Sequence, residues 1–276
     1  MSGARLGTVL PGSLVNARLE LHWAAQLVTS AGASLLPSVP DFSHTNLGWV
    51  ESLGVLAGRP VGDRGRQAAL VFEGLELVVL EGELERASLS LAGRTLEDGR
   101  AWLAGQLGVE AAALELPRHD MPPHPVGEGG VFSEGGTDER GELAAWFANA
   151  TRLIGGIVEG HHHASPVRCW PHHFDVASLL SFDPDTDPEK ARSVGVGFSP
   201  GDGTYAQPYF YVTPWPYPDA TTLPVLSGGA RWHTKGWTGA VLTGDVIVSM
   251  PHDEQRERMR AALSRALDVS RVLLSA

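Results

Sequence analysis

The chain has 276 residues, 43% apolar and 19% charged, enough for one large domain or two ordinary ones with a substantial core. Its formal charge is −11 and its only lysines are Lys190 and Lys235, so its overall field repels a phosphate backbone and no basic stripe offsets that. Nucleic acid is excluded on this ground. No apolar run approaches the length of a membrane span, and the opening MSGARLGTVLPGSL is too short in its apolar part for a signal peptide. The lone Cys169 forms no internal disulfide, and the composition predicts a cytoplasmic protein with no membrane partner.

Taken in order, the first element is an apolar-periodic helix from Ser13, read as its N-cap, through Leu19, Trp23 and Leu27. A turn-rich stretch, SLLPSVPDFSHTNLGWVESL, separates it from the strand-like runs QAALVFE, LELVVLEG and ASLSLAG. The helix LEDGRAWLAGQLG closes this half. Residues 117–137 hold four prolines and five glycines, the composition of a linker, with His119 and His124 as solvated loop residues.

The second half repeats the plan. A helix runs from about Asp138 through Leu143, Trp146, Phe147, Ala150 and Ile154, stopping near Gly155–Gly156 or just beyond. After the turn-rich SPVRCWPHHFDVASLLSF come the strands SVGVGF and PYFYVTPW, hinged at Gly201, Asp202 and Gly203. A further strand, TGAVLTG with VIVS, leads to the closing helix DEQRERMRAALSRALDVSRVLL. Setting His44 against His173 brings Asn46 onto Asp175. The pattern predicts an α+β fold of two tandem α-β-β-β-α units, 1–116 and 138–276, with antiparallel sheets backed by helices. The first unit reads as scaffold.

The second half also resembles a bacterial family known only as a domain of unknown function. The resemblance rests on Ser165, Pro166 and Val167, then Trp170, His172, Phe174 and Asp175. It continues through Gly197, Phe198, Pro200, Gly201 and Asp202, and Pro208, Phe210 and Tyr211. It covers roughly residues 140–270 well and the first half in outline. It implies a fold and a site position, without a reaction. The family pattern lacks the triple histidine and Cys169.

Five of the eleven histidines lie between His161 and Asp175. On an extended segment His161 and His163 share a side; with Cys169 and His172, spaced as two ligands from one turn, they make a candidate set for zinc or another divalent metal. No paired CxxC or HExxH accompanies them. The plain reading is a polar loop at a helix C-terminus with Cys169 as a small buried hydrophobe.

His172 and Asp175, three apart, with Asp202 at a turn, are the candidate acid–base set. Against this, Asp175 before an apolar run reads as a helix N-cap and Asp202 as turn chemistry. All four tyrosines fall within residues 205–217; strand alternation puts Tyr209 and Tyr211 on one face, opposite Phe210 and Val212. With Trp170, Trp232 and His233 they make a candidate ligand-binding wall. The sequence thus predicts a small-ligand binder in the second half, with a metal-assisted hydrolase or an aromatic homodimer module as the rival readings.

Overall fold

The computed structural model describes residues 5–117, 119–184, 186–187 and 190–275. The first four residues of the opening segment read above lie outside them. The fold is α+β, with antiparallel sheets and helices segregated to their faces. The chain divides into two compact units. The first comprises Ser13–Ala148 with Arg168–Phe174; the second comprises Met1–Gly12, Asn149–Val167 and Asp175–Ala276.

In the first unit, α1 (Val15–Leu35) precedes β1 (Gly48–Val50), β2 (Val55–Ala57), β3 (Arg66–Val71), β4 (Glu76–Glu81) and β5 (Leu84–Ser90), then α2 (Leu96–Leu107). The strands pair antiparallel in sequence order. The first unit has two strands more than expected: Gly48–Val50, within the turn-rich stretch, pairs with Val55–Ala57, just after it. Ser13 is not the N-cap of α1. Leu14 holds that position without a side-chain cap, and Ser13 closes a short 3-10 turn. Helix α2 begins as its sequence indicates: the Thr95 hydroxyl accepts from Asp98 N, the Asp98 carboxylate accepts from Thr95 N, and Gly108 ends the helix at φ +75°.

Residues 117–137 belong to this unit, and Val126 and Phe132 within them are fully buried. Phe72, Phe147 and Phe174 pack ring to ring with centroids 4.9–6.1 Å apart. β6 (Arg168–Trp170) joins through Cys169, whose backbone exchanges two 2.9 Å hydrogen bonds with Leu47.

Helix α3 (Thr137–Val158) continues through the glycine pair and contributes to both units. The second unit carries β7 (Asp175–Ser181), β8 (Ser193–Ser199), β9 (Tyr209–Trp215), β10 (Arg231–His233) and β11 (Gly239–Thr243), in the antiparallel order β10-β11-β9-β8-β7. α4 (Gly244–Val248) and α5 (Gln255–Ser275) follow. VIVS is helical rather than the end of a strand, since α4 starts directly after Thr243. Helix α5 buries Met259, Leu263, Ala266 and Leu267 and packs on β9; the sheet buries Val194, Val196, Phe198, Phe210 and Val212.

Among the described residues, no helix is long and apolar enough to cross a membrane.

Candidate functional site

The alternation expected along β9 is present. Phe210 and Val212 are wholly buried, while Tyr209 and Tyr211 lie on the other face with ring centroids 6.2 Å apart. Each phenol finds a carboxylate. The Tyr209 hydroxyl donates to Asp202 Oδ2 at 2.6 Å, and the Tyr211 hydroxyl donates to Asp175 Oδ2.

The second bond depends on a glycine. Tyr211 pairs with Gly197 on β8, which in turn pairs with Ala177 on β7. A Cβ at Gly197 would sit 2.1 Å from the Tyr211 ring, so only a bare backbone lets the phenol lie across β8 toward Asp175.

Asp202 serves two purposes at once. Its Oδ1 accepts from the backbone N–H groups of Thr204 (2.6 Å) and Tyr205 (2.9 Å), which fixes the turn, while Oδ2 takes the phenol. Burial, first, and then the Asp202 carboxylate push the Tyr209 hydroxyl well above the usual phenol range, and Asp175 adds to the same effect. Tyr209 therefore stays protonated and donates. The Ser199 hydroxyl also bonds to it.

The turn carries a third phenol. Tyr205 lies 3.0 Å from His233 Nδ1, and His233 Nε2 lies 2.7 Å from the Lys235 carbonyl oxygen. A carbonyl only accepts, so Nε2 carries the proton and Nδ1 accepts from Tyr205. The imidazole also stacks on Trp237 at 4.3 Å. His233, Tyr209 and Ser199 are buried, whereas Tyr205, Tyr211, Asp175 and Asp202 stay partly open. Trp232 stands on β10 with its indole N–H donating to the Pro224 carbonyl at 2.8 Å. Trp215 and Tyr217 are exposed and meet edge to face at 5.1 Å.

Asp175 opens strand β7 and does not cap a helix. It joins Asp202 around the tyrosines, but His172 belongs to the first unit. There, Trp170 closes β6 and residues 171–174 turn, with Phe174 at φ +57° and its N–H donating to the Trp170 carbonyl at 2.7 Å. The exposed His172 ring stands 4.2 Å from His173, 5.8 Å from His119 and 6.4 Å from Trp170. The buried His22 donates from Nε2 to the Pro171 carbonyl at 2.8 Å, Gln26 donates to the same oxygen, and the imidazole stacks on Phe174. Partial desolvation by the surrounding rings, then the neighbouring His173 and His119, lowers His172 to about 4. Burial, and after the Pro171 bond the charge of nearby groups, lowers His22 to about 4 as well. Both rings are neutral at pH 7.

The proposed metal ligands are arranged otherwise than expected. His161–His163 form a turn after α3, with His161 N donating to Val158 O and Ala164 N to His161 O, so the extended-strand alternation does not apply. Cys169 is 1% exposed within β6. Among the described residues, no group of three or more His, Cys, Asp or Glu is placed to hold a metal ion.

Sequence reasoning missed Tyr205 as a site member. Its signal was present: it stands three residues after Asp202 in a turn that an Asx motif would close. Compared with family models, curated proteins and solved structures, the chain matches none of them.

Proposed function

We propose that the protein binds a small polar ligand rich in hydrogen-bond donors, a polyol or a small amine, on the tyrosine–carboxylate wall of its second unit. The observation that carries this reading is a pair of carboxylates on half-buried residues, Asp175 and Asp202, each oriented by a phenol on one sheet face. Oriented carboxylate oxygens accept from ligand hydroxyl or ammonium groups, and the faces of Tyr205 and Tyr211 supply apolar surface for a ring or carbon chain. The turn at Asp202 and the glycine beneath Tyr211 hold these groups in place before a ligand arrives, which lowers the ordering cost of binding.

Calorimetric titration with glucose, myo-inositol and putrescine tests the reading. At least one should give saturable heat in the wild type and at least tenfold weaker binding in Asp202→Asn, which keeps the turn's acceptor oxygen. Absence of saturable heat with all three overturns it.

A further inference from the structure

The first unit, read from sequence as scaffold, has concave places of its own. A hollow of about 140 Å³ is lined by Asn46, Trp49, Arg59 and Arg168, among others. A larger cleft, of about 480 Å³, lies within the volume range of small-molecule sites and joins an apolar lining to charged groups. Its apolar part is Leu35, Val61, Leu107 and Val109; Val61 is buried and the other three are half-buried. Asp63, Arg64 and Arg66 supply the charges.

Local structure explains why these residues meet. Val61 and Arg66 exchange backbone hydrogen bonds of 2.8 and 3.1 Å, which makes them a directly opposed antiparallel pair with side chains on one face. Gly62 and Gly65, at φ +65° and +60°, turn the chain between them, so Asp63 and Arg64 stand exposed at the tip. Leu35 ends α1 and Leu107 ends α2. Arg66 reaches the second of these helix ends, where its Nη1 donates to the Gln106 carbonyl.

The charged groups do not neutralise one another. Among the described residues, Asp63, Arg64 and Arg66 form no ion pair, and the Arg66 Nε–H is buried without an acceptor. The Gln106 carbonyl is a neutral partner and leaves the Arg66 charge uncompensated. Both helix ends carry partial negative charge, and neither helix has a basic residue in its last turn. The cleft thus presents guanidinium groups for an anion, a carboxylate and two helix ends for a cation, and aliphatic side chains for a hydrocarbon.

We propose that this cleft binds an aliphatic α-amino acid. Its carboxylate pairs with Arg64 and Arg66, its ammonium with Asp63 and the helix ends, and its side chain packs on Leu35, Val61, Leu107 and Val109. Guanidinium forks match the paired oxygens of a carboxylate. A simple anion would face Asp63 unmatched, and a simple amine would leave the arginines unmatched; a zwitterion answers both signs at once. The site is independent of the tyrosine wall.

The test is calorimetric titration of the wild-type protein with L-leucine, glycine, isovalerate and isoamylamine. We expect saturable heat with L-leucine and at least tenfold weaker binding of the other three, which lack in turn the side chain, the ammonium and the carboxylate. Arg66→Gln should weaken L-leucine binding at least tenfold. Because Arg66 also holds the end of α2, the exposed Asp63→Asn and Arg64→Gln serve as independent variants, each expected to weaken it at least threefold. Asp202→Asn, in the second unit, should leave it unchanged. No saturable heat with L-leucine, equal affinity for any of the other three compounds, or unaltered affinity in both Asp63→Asn and Arg64→Gln overturns the proposal.

Discussion

The tyrosine wall of the second unit and the arginine hollow of the first differ in how their polar groups are matched. In the wall, Tyr205, Tyr209 and Tyr211 each have an acceptor; of these, Asp202 is fixed by its turn and His233 by a carbonyl. In the hollow lined by Asn46, Trp49, Arg59 and Arg168, the Trp49 indole N–H and the Asn46 amide oxygen have no hydrogen-bond partner among the described residues.

The first unit also shows what a matched buried arginine looks like. Arg140 lies 3.8 Å from Glu20, both side chains are 3% exposed, and Glu20 further accepts from the Ser133 N–H and hydroxyl at 2.8 Å. Arg140 adds donations to the Glu73 and Gly135 carbonyls.

This contrast sets the expected sizes of effect. Glu20→Ala strands the Arg140 charge and should destabilise the protein by about 3–5 kcal/mol in chemical denaturation. Arg59→Gln, by comparison, should change the stability of the ligand-free protein little. A loss as large as that of Glu20→Ala would show the hollow to be internally matched after all.

Next in size is an acid effect in the first unit. The unfolded chain protonates its histidine near 6.5, while folded His22 resists protonation down to about 4. Protons therefore bind the unfolded state preferentially in that window, and stability present above pH 6.5 is lost as pH falls toward 4, by about 3 kcal/mol at most. His22→Gln should flatten that part of a denaturation-versus-pH curve. His172 shifts in the same direction, but its exposure to water screens its share.

Gly197→Ala attacks the wall. Its methyl would displace the Tyr211 ring, and the overpacking should cost about 1–3 kcal/mol together with loss of ligand binding. Smallest is Tyr211→Phe, which keeps the ring and removes one donor to Asp175. It should cost about 1 kcal/mol in thermal denaturation.

Parts of this molecule were legible in the sequence because local signals sufficed. The Gly201–Gly203 turn joins β8 to β9 as its composition indicates, and the period-2 pattern of PYFYVTPW separates wall from core. The two closing helices lie where periodicity puts them.

β7 was hidden because DVASLLS is apolar on both faces. Val176, Ser178 and Leu180 are buried while Leu179 is 51% exposed, an alternation blurred by Leu at both positions. β10 is three residues in a stretch that reads as a loop. The hollow was beyond local reasoning altogether. Arg59 and Arg168 stand far apart in sequence, and only the pairing of Leu47 with Cys169 brings β6, and Arg168 with it, beside β1.

The most direct measurement for the central claim is calorimetric titration of wild-type protein and Tyr211→Phe with whichever of glucose, myo-inositol or putrescine binds. The account predicts saturable binding that weakens at least threefold when the phenol that orients Asp175 is removed, while both proteins stay folded. Equal affinity in the two proteins would contradict it, because the ligand would then bind without the oriented carboxylate.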